Sequence, residues 1–553
     1  MLFGIVAVGL TLAVGELLAA VGAWLGLLDP AASPFGALGA AFIAITPEWL
    51  KDIGIGLFGQ SDKAALAVSM VVTFVIVGIV IGLLGRLNIR WAIALGVVLV
   101  AVTGIAVLTR AHTGAVDLGP ILLGGVAGVV FLVQVMQRAA DPDDALAGVD
   151  AEPSEPPRTV DRRRFLQATG IGALIAIAAG GLSRLVPSAA DVDANRADVR
   201  LPPVDRNDLV ATRAPTPAGP SATTSPPTTA SASGAGSASG AGSGPIKLPA
   251  DIDPDVPGIT PYVTSDAGFY RVDTAFTLPR VTTDAWRLKV HGLVDSPFEI
   301  DWSDLLAMPQ VERMITLCCV SNEIGGNLIG NAAWQGVRIA DLLARARPQA
   351  GADCVYSTSA DGFTVTTPLE ALTDGRDALL AIGMNGDPLP IEHGFPVRMV
   401  VPGLYGYVSA TKWVVDLEVT KFSEVSAYWT ERGWAPRGPV KTASRIDTPH
   451  YDVTVPAGVV PVAGVAWAQH RGITEVQVQV DDGPWRPAEL SGAVSADTWR
   501  QWVYRWDTKA AGPGKHTLRC RAVDGTGVVQ DGTERPVAPD GATGYHEVPV
   551  IVG

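Results

Sequence analysis

Two adjacent thiols, Cys318 and Cys319, close the apolar run Met314-Ile315-Thr316-Leu317 and lead into Val320-Ser321-Asn322 and the pair Gly325-Gly326. The run reads as a strand and the glycine-bearing stretch as a turn. A cysteine thiolate in such a turn, flanked by small residues, lets a metal ion approach the backbone. Alternation along the strand sends the two side chains to opposite faces. On chemistry alone either can be a ligand, with a vicinal disulfide or two core thiols as the competing arrangements. The other two cysteines, Cys354 and Cys520, lie in apolar, strand-like sequence and read as buried free thiols. Four cysteines in all are too few for a disulfide framework, or for an iron–sulfur cluster beside a separate thiolate ligand. Cationic and hydroxyl side chains recur at His393, Arg398, Ser409, Thr411 and Lys412, and Tyr270-Arg271 stand upstream. Taken singly, each has an ordinary structural explanation.

Taken in order, these segments resemble the molybdenum-cofactor domain of the sulfite oxidase family, from about Phe269 to Gly553. The family's Leu-x-Cys-x-x-Asn falls on Leu317 to Asn322 and selects Cys319; Trp334-Gln335-Gly336-Val337 follows, and Gly386 to Arg398 carries the His-Gly-x-Pro-x-Arg pattern. The resemblance implies a redox enzyme with one mononuclear molybdenum–molybdopterin centre and a small-molecule substrate. It makes Cys319 the metal ligand. It also implies that His393, Arg398, Tyr270 and Arg271 contact the pterin, and that Ser409, Thr411 and Lys412 form a phosphate-binding loop. Arg suits a phosphate through its planar, bidentate fork.

The departures bear on substrate. Sulfite oxidases carry an arginine pair shortly after the cysteine, where this chain has Glu323 and Ile324; Trp434 aligns with their active-site tyrosine. An anionic substrate loses its counter-charges there, which argues against sulfite. Tyr428 to Trp434 is expected to wall the site, with Glu323, Arg432 and Trp434 as candidate contacts. A methionine-sulfoxide-type reductase is the competing enzyme. A non-catalytic, membrane-anchored adhesion protein with a decayed cofactor fold is the competing class, and retention of Cys319, His393, Arg398 and Lys412 counts against it.

The elements that must hold this site begin with membrane sequence. Apolar runs at Met1–Leu28, Ala65–Leu84, Trp91–Leu108, Leu118–Val135 and Phe165–Leu185 are each long enough to cross a hydrocarbon core of about 30 Å. Phe35–Gly59, broken by Pro47, Glu48, Lys51 and Asp52, reads as a re-entrant or interfacial hairpin. Glu16 is the ionisable residue of the first run and a candidate for a bundle-facing role. Arg86 and Arg90 place their loop inside, which puts the N-terminus inside and the chain after Leu185 outside. Arg162-Arg163-Arg164-Phe165-Leu166 before an apolar segment looks like a twin-arginine export signal. His112 is the one histidine before residue 291, so no haem is expected in the bundle. The spans are left as an anchor, a quinone-facing surface or a docking bundle for a membrane electron-transfer partner.

The expected organisation is a multi-domain chain. A transmembrane helical region occupies 1–140. A cytoplasmic segment and last membrane helix cover 141–188. A disordered Pro/Ser/Thr/Ala/Gly linker follows over 189–249, and as a flexible coil it would reach roughly 40–45 Å. An α+β molybdopterin domain covers 250–445, and an immunoglobulin-like β-sandwich of period-two strands covers 446–553. Within the α+β domain, strands are expected at Trp286–Gly292, Arg398–Val401 and Trp413–Val419. Helices are expected at Trp302–Met308, capped by Ser303, and at Ile339–Ala346. In the resembled family the last domain serves dimerisation, and it should hold no catalytic group. The net charge of −14 excludes the basic face a nucleic-acid partner requires. The soluble domains are expected outside the cell membrane on a multi-pass anchor.

Overall fold

A computed structural model describes residues 1–25, 27–29, 32–46, 62–110, 113–139, 189–204, 248–275 and 278–553. The chain divides into two compact units, one built on the N-terminal helices and one holding residues 193–273, 281–359 and 364–553.

The first unit contains α1 (Leu2–Trp24), α2 (Pro34–Ile45), α3 (Asp62–Leu87), α4 (Ile89–Leu108) and α5 (Gly119–Ala139). Four stretches, 2–23, 65–87, 89–108 and 115–136, are helical, long and apolar enough to cross a membrane. They coincide with four of the five expected spans; Phe165–Leu185 and the Arg162-Arg163-Arg164 motif lie outside the described residues. Small residues let the helices touch backbone to backbone. A Cβ on Gly78 of α3 would stand 2.6 Å from the Ile5 Cα, and one on Gly124 of α5 would stand 2.2 Å from the Thr11 carbonyl oxygen. Outward faces stay apolar, with Val68, Val72, Ile76, Val98 and Ile105 exposed. The carboxylate of Glu16 caps α2, accepting from the Ser33 hydroxyl at 3.0 Å and the Phe35 amide at 2.6 Å. Of the expected 35–59 hairpin, α2 supplies the first piece; residues 47–59 lie outside the described residues.

The second unit opens at Asp193, within α6 (Ala189–Asp198). The linker expected from 189 therefore starts later. Arg196 and Asn195 make side-chain hydrogen bonds to Leu389, Pro388 and Thr283, and Leu201 packs on the apolar core. Composition averaged over the segment hides these few anchoring side chains. Two five-stranded sheets follow. One runs β2 (Phe298–Asp301), β1 (Arg287–Gly292), β10 (Val414–Thr420), β5 (Cys354–Ser359), β6 (Thr364–Pro368). The other runs β3 (Val311–Cys318), β4 (Ile329–Arg338), β7 (Leu379–Met384), β8 (Asp387–Pro388), with β9 (Arg398–Val400) paired to β7. The helix α8 (Ile339–Ala346) turns Ile339, Leu342, Leu343 and Ala346 into the core. The helix α7 (Trp302–Ala307) is capped by Asp301, which accepts from the Asp304 amide at 2.9 Å, and not by Ser303. A carboxylate accepts more strongly than a hydroxyl, and Ser303 donates to Asp301 instead.

The last strands form two sheets, β11 (Ala443–Thr448), β13 (Val459–Trp467), β17 (Arg500–Asp507), β16 (Glu489–Leu490) and β12 (Thr454–Val455), β19 (His546–Val552), β18 (Gly514–Asp524), β14 (Ile473–Val480), β15 (Arg486–Pro487). Both contribute to one core around Val462, Val476, Trp502, Leu518 and Val550.

This β pair is fused to the cofactor region by a buried polar network centred on Thr316. Its hydroxyl donates to Asn331 at 2.9 Å and accepts from the Trp499 amide at 2.8 Å, while Gln469 donates to its carbonyl at 3.0 Å. Thr316→Val strands the Trp499 amide in a dry site, and a cost of about 1–3 kcal/mol is expected. Chemical denaturation of the detergent-solubilised chain checks this. The transition of the cofactor region and that of the C-terminal sheets are expected to shift together.

Candidate cofactor site

Cys319 stands one residue past β3, and the loop that follows is stapled from within. The Cys319 amide donates to the Leu328 carbonyl at 2.9 Å, the Asn322 amide donates to the Cys319 carbonyl at 3.1 Å, and the Asn322 side chain accepts from the Leu328 amide at 2.8 Å. Gly325 takes φ +73 in this loop, and a Cβ there would strike the His546 ring at 2.3 Å. The two thiols are free. Cys318 is buried in an apolar cluster with Met314, Tyr405 and Trp467. Cys319 lies in the field of the Lys412 ammonium. Burial pushes both thiols up, Cys318 well up; hydrogen bonds from Ser321 and the charge of Lys412 pull Cys319 back.

Around it lies an aromatic and cationic shell. Phe269 stacks on Tyr270 at 5.2 Å and presents its edge to Trp334 at 5.5 Å and to His393 at 5.6 Å. The Arg398 guanidinium lies over the Trp334 ring at 4.9 Å and donates to the His393 carbonyl at 2.9 Å. Lys412 donates to Asp273 at 3.1 Å and to the Glu392 carbonyl at 2.9 Å, and Arg271 reaches the same Asp273 oxygen at 3.0 Å. Arg398 is 4% exposed, and among the described residues no carboxylate pairs with it. Burial lowers the pKa of Arg398 to about 10 and of Lys412 to about 8. Burial, then Arg398 and Lys412, bring His393 down to about 4. The imidazole is thus neutral at pH 7. Its Nε2 meets the Asp266 carbonyl at 3.1 Å, and its buried Nδ1 has no hydrogen-bond partner.

Lys412 and Arg271 share the Asp273 carboxylate, Arg398 has no acid partner among the described residues, and a buried imidazole nitrogen is left unsatisfied. Uncompensated charge and orphaned polar atoms are costly in a dry interior. A polar group bearing a phosphate, with a metal held beside Cys319, relieves both, so the donor set fits a molybdenum–molybdopterin group.

The other predicted residues fall elsewhere. The Ser409 hydroxyl donates to the Tyr405 carbonyl at 2.9 Å, and the Thr411 hydroxyl lies 2.7 Å from that of Ser357. Of that run Lys412 is the residue that bonds into the cluster, through Asp273. Arg432 is laid over the Tyr428 ring at 3.6 Å, and Trp434 packs on Tyr407 and Trp429. Neither shares a hydrogen bond, ion pair or ring contact with the cationic cluster. Glu323 is exposed on the cysteine loop and lines a cavity of about 30 Å³ with Cys318, Ile324, Tyr405, Ser444 and Gln530. None of the residues lining that cavity is a Lys, Arg or His.

Sequence reasoning missed Asp273, Asp266 and two groups from the last domain. Arg445 donates to the Gly326 carbonyl at 2.7 Å, to Thr260 at 2.9 Å and to Asp447 at 2.7 Å, and His546 is packed under Gly325. The last domain thus supplies positioning residues for the cysteine loop. The visible half of this contact was Gly325-Gly326; nothing local marked its partners. Arg445→Ala leaves Asp447 buried without its cation, and a loss of about 3–5 kcal/mol is expected, read as a lowered denaturation midpoint.

Lys412 gives a pH signature. In the apoprotein its folded pKa of about 8 lies below the unfolded value near 10.4. Between those values the unfolded chain binds more protons, so stability rises with pH. Apoprotein from a cofactor-deficient host is expected to gain stability from pH 8 to 10 relative to Lys412→Met, and to show no such difference below pH 7.

Residues 275–429 match the family described as an oxidoreductase molybdopterin binding domain. The chain is 30% identical over 323 residues to the mitochondrial sulfite oxidase of Rattus norvegicus, covering 50% of this chain and 58% of that protein. It therefore spans little more than half the length of the curated sulfite oxidases it matches. It is 37% identical over 153 residues to the uncharacterized oxidoreductase YuiH of Bacillus subtilis, covering 28% of this chain and 74% of that one. Among solved structures, the sulfane dehydrogenase SoxCD of Paracoccus pantotrophus aligns with a TM-score of 0.44 at 26% identity, over 49% of this chain and 75% of the other.

Proposed function

The chain belongs to the sulfite-oxidase-type molybdopterin oxidoreductases, and from that premise we propose that it is a membrane-tethered enzyme transferring oxygen atoms on a small substrate other than sulfite. The observation that carries the cofactor assignment is the buried trio His393, Arg398 and Lys412 beside Cys319, with one carboxylate among them. When bound, the molybdenum–pterin group supplies a two-electron centre with an exchangeable oxygen. Cys319 would hold the metal; Arg398 and Lys412 would answer the group's negative charge; His393, neutral at its low pKa and donating from Nε2 to the Asp266 carbonyl, would accept a hydrogen bond at Nδ1. Phe269, Tyr270 and Trp334 exclude water from the cluster. Ser409 and Thr411 act through their backbone turn.

The choice of substrate rests on what stands after the cysteine. Glu323 and Ile324 stand where an arginine pair would serve an anion, so the loop after Cys319 offers a carboxylate and no cation at those two positions. An anionic substrate lacks its counter-charges there, which favours a neutral or sulfoxide-like molecule. Arg432 and Trp434 are outer-wall residues in this account. The apolar N-terminal helices serve as anchor and as the surface through which a quinone or membrane electron-transfer partner communicates. Arg86 and Arg90 on the inner side support an extracytoplasmic placement of the catalytic part. The last two sheets are read as an immunoglobulin-like sandwich that pairs two copies.

Metal and pterin content of the purified full chain, beside Cys319→Ala and Cys318→Ala, tests this. Stoichiometric molybdenum is expected in the wild type and in Cys318→Ala. In Cys319→Ala a changed or lost molybdenum electron paramagnetic resonance signal is expected, in a chain that still folds. An empty, well-folded wild type from a cofactor-making host would leave the adhesion-protein alternative standing. With loaded enzyme, turnover of a neutral sulfoxide without turnover of sulfite is expected; sulfite oxidation at a comparable rate would reject the substrate assignment.

A further inference from the structure

Between the apolar N-terminal part and the first described residue of the cofactor core at Leu248, the sequence offers a long Pro/Ser/Thr/Ala/Gly stretch as the obvious tether. The structure places attachments ahead of it. Asn195 and Thr283 make a reciprocal pair: the Asn195 side-chain amide donates to the Thr283 hydroxyl at 3.0 Å, and the Thr283 backbone amide donates back to the Asn195 oxygen at 2.9 Å. Arg196 caps two carbonyls, those of Leu389 and Pro388, each at 2.7 Å. Gln335 of β4 donates to the Pro202 carbonyl at 2.7 Å. Leu201 fills the space over Gly383 of β7, where a Cβ would meet its methyl at 2.6 Å. These are polar and apolar anchors on four separate pieces of the cofactor core, spread along the segment from Asn195 to Pro202.

The contact points are not neutral ground. Gln335 neighbours Trp334, which carries Arg398, and Pro388 and Leu389 lead directly into the turn that presents His393. Gly383 precedes Asn385, which holds Asp266 at 2.7 Å on the far side of the His393 contact. The segment is thus seated against the backing of the loop that supplies the buried imidazole.

We propose that residues 193–204 are a permanent strap of the cofactor core, so that the chain is already joined to that core ahead of residue 205 and not solely through the segment that resumes at Leu248. The chain attaches through the strap, close behind the last apolar segment of the sequence. The strap also holds the backing of the His393 loop, so its loss loosens the cofactor as well as the attachment.

A site-specific protease sequence inserted within Ser231–Gly236 of the full, N-terminally tagged chain separates the two arrangements. The detergent-solubilised holoprotein is bound through its tag, cut to completion and washed under native conditions. The C-terminal fragment is expected to stay on the resin with its molybdenum and pterin. Its release by cutting alone would overturn the proposal. In the cut chain carrying Asn195→Ala, Arg196→Glu and Leu201→Asp, the fragment is expected to dissociate faster by roughly a hundredfold or more, from the loss of two charge-assisted and two neutral hydrogen bonds. Undiminished retention of that variant would also overturn it, since another contact would then be doing the holding. Should the uncut triple variant fail to load cofactor, the milder Asn195→Ala with Arg196→Gln replaces it. Release faster by about tenfold is then expected, and an unchanged rate counts against the strap.

Discussion

Buried positive charge is the constraint around which the soluble part of this molecule is organised. Arg398 and Lys412 are held away from water by Phe269, Tyr270 and Trp334, and Asp273 is the acid that faces Lys412. A protein interior does not tolerate such an excess unless something negative completes it. The depressed values of Lys412, Arg398 and His393 are the same fact expressed as proton affinity. An anionic cofactor turns this strained arrangement into a complementary one. The neutral His393 then becomes useful, because it adds a hydrogen bond without adding charge.

The second constraint is the position of one sulfur atom. Cys319 is fixed by a hairpin, by Asn322 inside the loop, and by Arg445 and His546 reaching in from the C-terminal sheets. The last domain is therefore part of the site's scaffold and shares a core and a polar network with β3 and β4.

Much of this was legible in the residues. Local signals sufficed where the information was local: the alternation ending at Gly292, the amphipathic Ile339–Ala346, and the apolar runs that form α1, α3, α4 and α5. The family resemblance pointed to His393 and Arg398, and the structure brings the two together. What escaped depended on contacts between distant segments. Ser409 and Thr411 looked like phosphate donors by type, yet their hydroxyls are consumed by Tyr405 and Ser357. Asp301 outcompeted Ser303 as a cap because a carboxylate is the stronger acceptor. The stretch from 189 was read by average composition, and a handful of anchoring side chains does not move an average. Arg445 and His546 lie over a hundred residues from the loop they support, and no local pattern announces such a pairing.

The central claim is that Cys319, and not its neighbour, holds molybdenum within the buried cationic cluster. X-ray absorption at the molybdenum edge tests it most directly, comparing the loaded full chain with Cys319→Ser and Cys318→Ser. The account predicts that Cys319→Ser loses one sulfur neighbour at the metal while Cys318→Ser keeps the wild-type shell. An unchanged sulfur shell in Cys319→Ser, or a loss of sulfur in Cys318→Ser, would contradict it.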